Sequence, residues 1–266
     1  MNHSKKKIVL FIFVFSVLFF FLFLVFSRDT KQKFTFYRDA IIRGDSTRKE
    51  IALVFTGGDF SDGGQHIQKV LKQENIPAGF FFTGDFYRDE HNKTLIDNLI
   101  HDGHYLGPHS DQHLLYCSWE KRDSLLVTKN KFIRDMLANY SEMERFGIHQ
   151  NDAPFFIPPY EWYNETIVQW ADETGLVLFN ITPGTLSHAD YTTPDMSNYR
   201  DSEKIYRSIL DYENKHENGL NGFILLIHIG SHPDRTDKFY LKLKPLIVEL
   251  SNRGYNFIRI DQLIGK

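Results

Sequence analysis

From residue 50 to the C-terminus, short apolar runs alternate with longer amphipathic stretches, and this alternation restricts the chain to one fold class. The runs at 51–55, 78–83, 104–109, 155–159, 176–182, 223–229 and 256–260 have strand length and are rich in β-branched and aromatic residues. Between them, 67–74, 93–101, 124–144, 165–174, 202–215 and 239–252 carry apolar residues at i, i+3 and i+4. Strands that alternate with helices predict an α/β fold, a parallel sheet with helices outside. Seven strands with six helices between them predict an incomplete (β/α)7-type barrel, and an open doubly wound sheet fits the same string. Both architectures gather ligands at the carboxyl ends of the strands. Reactive residue types sit at those ends here: Thr56-Gly-Gly-Asp59, Thr83-Gly-Asp85, His109 to His113, Pro158-Pro-Tyr-Glu161 and His228.

Upstream of this region, Lys5-Lys6-Lys7 precede an uncharged run from Ile8 to Phe26. About nineteen apolar residues are enough to cross a hydrocarbon core of roughly 30 Å as a helix. The run is longer than the hydrophobic region of a secretory signal, and Leu24-Val-Phe-Ser-Arg28 contains no small-x-small cleavage pattern. The expected organisation is therefore a cytoplasmic tail (1–7), a transmembrane anchor (8–26), a polar stretch (27–49) that forms a stalk or a first turn packed on the domain, and a folded α/β domain (50–266). The lysines before the span place the N-terminus in the cytoplasm and the domain outside the cytoplasmic membrane.

The net charge of −3 and the lack of a basic block beyond the anchor lysines leave no electrostatic footprint for nucleic acid. Cys117 is the only cysteine, which excludes an intrachain disulfide and a thiolate zinc cluster. Any metal must then be held by imidazoles and carboxylates. His109 and His113, four apart just past a short apolar run, can converge on one ion, and neutral imidazole is the commonest protein ligand for Zn²⁺.

Taken in order, Ala78-Gly-Phe-Phe-Phe-Thr-Gly84, Gly103-His-Tyr-Leu-Gly-Pro-His-Ser-Asp-Gln-His113 and Leu226-Ile-His228 resemble the polysaccharide deacetylases of carbohydrate esterase family 4, the NodB-homology domain. The resemblance spans roughly residues 50–264. It implies a metal-dependent hydrolase, usually loaded with zinc, that removes acetyl groups from N-acetylated or O-acetylated glycans. Carried over residue by residue, His109 and His113 are metal ligands, His228 is the acid that protonates the leaving group, and the backbone of Tyr160 holds the oxyanion. Tyr160, Trp162 and Tyr163 offer a stacking face for sugar rings or are ordinary core aromatics.

The chain also departs from the family pattern. The family's Thr-Phe-Asp-Asp-Gly, which supplies a base and a metal ligand, is here Val54-Phe-Thr-Gly-Gly-Asp59. Thr56 stands at the base position and Gly57 at the metal position. Asp59 is the expected replacement ligand, with Asp62 second. The arginine of Arg-x-Pro, which orients the base, gives way to Ile157-Pro158-Pro159, and Asp-x-x-Asp-Trp has no counterpart in 179–185. Glu161 is the expected substitute base. The alternative is an inactive relative that binds glycan or a partner protein.

Overall fold

The computed structural model describes residues 34–265. The expected membrane span at 8–26 lies outside the described residues. Among the described residues, no helix is long and apolar enough to cross a membrane.

An antiparallel hairpin, β1 (Thr35–Tyr37) and β2 (Ala40–Arg43), precedes seven short strands: β3 (Glu50–Gly57), β4 (Gly79–Phe82), β5 (Tyr105–Pro108), β6 (Phe155–Phe156), β7 (Val177–Leu178), β8 (Phe223–His228) and β9 (Asn256–Phe257). Six of the seven fall inside one of the expected runs, and β3 covers its run and extends past it at both ends. The helices between them are α1 (Gly64–Glu74), α2 (Gly84–Arg88), α3 (Lys93–His101), α4 (Lys129–Glu144), α5 (Glu165–Glu173), α6 (Ser202–Lys215) and α7 (Leu243–Asn252), with α8 (Ile260–Leu263) last. Side-chain caps fix several starts: Thr128 accepts from Lys131 N, Asn164 from Ile167 N and Asp201 from Lys204 N. The five-residue α2 carries too few periodic positions to be read from sequence.

The pairings are parallel throughout this set. The ladder runs β5-β4-β3-β8, and β9 joins the amino end of β3. Residues 51–57 of β3 are all buried, as a strand covered on both faces requires. The expected ring of seven is only partly closed by ladder bonds, because β6 and β7 pair with each other and form a separate two-stranded piece. Side chains and single bonds join the pieces. Tyr105 Oη accepts from Phe155 N at 2.9 Å, Asn180 N donates to Ile41 O at 2.8 Å, and Thr182 N donates to Ile224 O at 3.1 Å.

The hairpin belongs to the domain, which resolves the reading of 27–49 in favour of packing for residues 35–43. Ala40 is fully buried, and the Arg43 guanidinium donates to the carbonyls of Asn221 at 2.7 Å and Gly219 at 2.8 Å. The core is aromatic. Phe55 stacks on Phe80 with centroids 5.0 Å apart, and Phe82 stacks on Phe86 at 4.0 Å.

Candidate active site

The carboxyl ends of β3, β4, β5 and β8, with the loop after β6, open onto one cavity of about 850 Å³. Its wall includes Thr56, Gly57 and Asp59 after β3, Thr83 after β4, His109 and His113 after β5, Tyr160 and Glu161 after β6, and His228 at the end of β8. The expected grouping of reactive residues at one end of the sheet is the observed one.

The histidine loop is fixed from behind by α4. Asn139 Oδ1 accepts from His109 N at 2.9 Å, and Asp135 accepts from the amides of Asp111 and Gln112, both at 3.2 Å. Arg88 of α2 pairs with Asp111 at 2.7 Å, and the approach is close enough that a Cβ on Gly84 would meet the Asp111 carboxylate. His109 is buried, and its Nδ1 lies 2.8 Å from Ile157 O. A carbonyl only accepts, so Nδ1 carries the proton and Nε2 keeps its lone pair, the arrangement usual for a metal-ligating imidazole. The His113 ring lies 5.0 Å from it, centroid to centroid. Burial, then the neighbouring His113, holds His109 well below the usual imidazole range. Burial, then the charge of His228, holds His113 down to about 4. Both rings are therefore neutral at neutral pH, the form that can ligate.

The predicted third ligand is in the same cavity but not in the same cluster. Asp59 lines the wall close enough for its charge to act on His113. Among the described residues, however, no group of three or more His, Cys, Asp or Glu side chains is set to hold a metal ion. The second choice, Asp62, is committed elsewhere: it accepts from Ser231 N at 2.8 Å and from Tyr240 Oη at 3.0 Å, and it pairs with Lys238 at 3.0 Å. At Gly57, where the resemblance puts a ligand aspartate, an added Cβ would lie 2.7 Å from Ile229 Cγ2 and 2.9 Å from Phe82 Cδ1. That position now belongs to the aromatic core.

The proton-transfer groups form a tighter set. His228 Nδ1 lies 2.6 Å from Asp190 Oδ1, and its backbone N–H donates to Asp190 Oδ2 at 2.9 Å. Burial alone would lower the His228 pKa, but the charges of Asp190 and Glu161 outweigh it and raise it. Glu161 is half-buried, and burial pushes its pKa up to about 7 against the opposing charge of His228. Its backbone is held at both ends, with N–H donating to Pro158 O at 3.0 Å and carbonyl accepting from Asn180 Nδ2 at 2.8 Å. Tyr160 and Glu161 both lie in the left-handed region, φ 60° and 52°, as does His113 at 52°. Such non-glycine outliers cost of order 1–3 kcal/mol each and cluster at functional sites.

Two sequence expectations change. The counterpart of Asp-x-x-Asp-Trp lies not at 179–185 but at Ser187-His188-Ala189-Asp190-Tyr191, where the second acid and a terminal aromatic remain; this short pattern was the available signal. Trp162 and Tyr163 do not line the cavity. Tyr163 is fully buried with its hydroxyl on Tyr37 O at 2.8 Å, and Trp162 donates to Ser118 O at 3.2 Å beneath the Arg122 guanidinium. The exposed aromatic faces of the wall are Tyr160, Trp119 and Tyr191, with Phe60 half-buried beside them. Tyr160 packs on His113 at 4.3 Å and meets Trp119 edge-on at 5.5 Å, while Tyr191 lies 5.4 Å from His228. Trp119 sits in an irregular segment and Tyr191 ends the short helix Ser187–Tyr191, both too short for a periodicity to mark them.

A parallel α/β sheet with paired imidazoles, an Asp–His pair and a raised carboxylate at its carboxyl end defines a hydrolase-like site. The sequence pattern of the polysaccharide deacetylases matches residues 43–179, and the chain belongs to that family. It is similar to a peptidoglycan-N-acetylglucosamine deacetylase of Bacillus cereus, 24% identical over 82% of this chain and 90% of that protein. It is also similar to the peptidoglycan-N-acetylmuramic acid deacetylase PdaA of Bacillus subtilis, 24% identical over 85% of this chain and 75% of the relative. Among solved structures, the fold superposes on a family 4 pseudoenzyme from Bacillus anthracis with a TM-score of 0.66 at 16% identity, covering 86% of this chain and 70% of that one. It superposes on Bacillus subtilis PdaA with a TM-score of 0.63 at 21% identity, covering 85% of each chain.

Proposed function

We propose that the chain is a glycan deacetylase, anchored in the cytoplasmic membrane by residues 8–26 with its domain outside, in which Glu161 and His228 move the protons. The observation that carries the reading is the facing pair: a carboxyl raised to about 7 beside a histidine bound to Asp190 at 2.6 Å. A carboxyl raised by burial and a histidine whose proton Asp190 helps to hold suit a base and an acid in one hydrolysis. Glu161 takes the proton of the attacking water. The protonated His228 gives a proton from Nε2 to the departing amine or alcohol, while Asp190 holds Nδ1–H and keeps the ring oriented. The Tyr160 amide, in the short turn at Pro159–Glu161 that borders the cavity, is the donor assigned to the developing oxyanion. Tyr160, Trp119 and Tyr191 offer ring faces to the sugars.

The two neutral imidazoles, His109 oriented by Ile157 O and His113 beside it, suit a divalent metal with zinc the first choice, and Asp59, in the same cavity but outside their cluster, is the carboxylate that would have to move in as third ligand. Such an ion, when bound, polarises the acetyl carbonyl and acidifies water.

The second reading, a non-catalytic relative that binds glycan or a partner, is favoured by one observation. Both first-motif carboxylates are replaced, and the ligand position at Gly57 is filled by its neighbours. Acetate release by the full-length chain from N-acetylglucosamine oligomers, peptidoglycan and O-acetylated xylan, with and without chelator, separates the two. Release that is lost in Glu161→Gln supports the enzyme; a folded chain that releases none from any substrate sinks it.

A further inference from the structure

The short helix Ser187–Tyr191 straddles the proposed acid. In a 3₁₀ helix side chains at i and i+3 eclipse, so Ser187 and Asp190 share one face and His188 and Tyr191 another. The first pair is buried, and from it Asp190 holds His228 Nδ1 at 2.6 Å. The second pair lines the cavity, with the Tyr191 ring 5.4 Å from that of His228. Because Nδ1 is taken by Asp190, Nε2 is the nitrogen left to meet the leaving atom. The sugar that carries this atom then rests against Tyr191 and His188.

His188 has no part in the chemistry assigned so far. It is half-buried in the cavity wall, and its ring makes no hydrogen bond among the described residues. Other histidines of the wall are engaged: His109 with Ile157 O, His228 with Asp190, and His232 with Asp234 N at 3.2 Å. Burial, then the charge of His228, holds His188 below the usual imidazole range, with Asp190 opposing them. Its ring is therefore neutral at neutral pH. A neutral imidazole carries one donor and one acceptor, the complement of an alcohol, which carries both. Asp59, Asp85, Asp195 and Asp234 also line the cavity, and neither lysine nor arginine does. The positive charge that the mechanism places there is on His228, whose two N–H groups are committed to Asp190 and to the leaving atom. A carboxylate on the substrate meets no free cation in this wall.

We propose that His188 is a specificity-determining residue that hydrogen-bonds the sugar hydroxyl next to the acetamide, so that the substrate is an N-acetylated sugar with that hydroxyl free rather than one that carries an acidic ether there. This deepens the deacetylase reading and rests on it. The leaving nitrogen and the neighbouring hydroxyl lie on adjacent ring carbons, as His228 and His188 lie side by side on the wall. An ether in place of the hydroxyl removes the donor and adds bulk against Tyr191. An acidic ether also brings a carboxylate among the acids of the wall. A site built to bond a hydroxyl rejects the analogue that lacks it, because its own polar group is then left unpaired.

The test is calorimetric binding and acetate release by the full-length chain with three probes matched in length. They are N-acetylglucosamine oligomers, their 3-O-methyl ethers, and oligomers that carry the acidic 3-O-lactyl ether. The free-hydroxyl probe is expected to exceed the methyl ether about tenfold in affinity and in kcat/KM, and the lactyl ether to be the poorest of the three. His188→Ala is expected to lose the preference for the free hydroxyl, with KM raised more than kcat is lowered. His188→Gln, which keeps a donor and an acceptor, is expected to restore part of it, and zinc content to stay at the parent level in both. Equal handling of the free-hydroxyl and methyl-ether probes, a preference unchanged in His188→Ala, or loss of zinc in that variant overturns the proposal. Selective binding that His188→Ala abolishes, without acetate release from any probe, leaves the His188 contact standing and removes the deacetylase reading instead.

Discussion

The residue most exposed to experiment is Glu161. A positioned acid or base typically contributes about 10²–10⁴-fold, so Glu161→Gln is expected to lower kcat by that order with KM little changed. The same substitution has a stability signature. A carboxyl raised from 4.5 to about 7 contributes stability below its ordinary range that is lost as pH rises through about 7. Glu161→Gln removes that loss. Its Tm is therefore expected to exceed that of the parent above about pH 8 and to match it below about pH 4.5, read by thermal melts across pH. Activity rises as Glu161 ionises and falls as His228 loses its proton, and Asp190→Asn, which weakens the support for that proton, shifts the falling limb to lower pH in a pH–rate profile. Metal content of His109→Ala, His113→Ala and Asp59→Ala checks the donor set, each expected to retain less zinc than the parent by elemental analysis. Much of this was legible in the sequence, because His109, His113 and His228 sit next to strands whose pattern is strong. Asp190 escaped because Ser187 stands where the motif has its first aspartate and Tyr191 where it has tryptophan, and Trp162 was assigned to the substrate because composition does not distinguish a core aromatic from a binding face.

Among the elements, α4 holds the histidine loop in place. Asp135 satisfies two amides of the loop and the Tyr116 hydroxyl from a buried position. Asp135→Ala leaves buried donors unpaired, which costs about 1–3 kcal/mol each, and it releases the backbone that keeps His113 left-handed. Chemical denaturation is expected to show that loss, and kcat to fall with it even though Asp135 does not line the cavity. None of this is readable from the period of α4, whose Asp135 and Asn139 look like polar-face residues at i, i+4. The strands were predictable because apolar runs bounded by turns have few other folds available. Their exact extents were not, since β6 and β7 keep only two ladder residues each before the loops carrying Glu161 and Asp190 leave the sheet.

At the scale of the molecule, residues 35–43 connect the two ends of the sheet, where their polar composition allowed either a stalk or a turn packed on the domain. Arg38 pairs with Glu165 at 2.8 Å and Asp123 at 3.0 Å, and Thr182 Oγ1 donates to Ile42 O, so their charges and carbonyls are spent on the fold. A chain that begins near residue 30 is expected to fold and bind glycan. One that begins at residue 50 exposes β7, β8 and the carbonyls of 219–221, and it should appear in the insoluble fraction on expression. Fractionation of cells carrying the full-length chain is expected to find it in membranes; a soluble mature form beginning near residue 28 would contradict the anchor.

The filled space at Gly57 also limits repair of the site by substitution. An aspartate there meets Ile229, Phe82 and Phe86 at once. Overpacking of this kind costs typically about 1–3 kcal/mol, a large share of a marginal stability. A carboxylate enters that position without strain only beside a smaller neighbour, so the chemistry of the cavity falls to Asp59, Glu161 and the loops beyond β7.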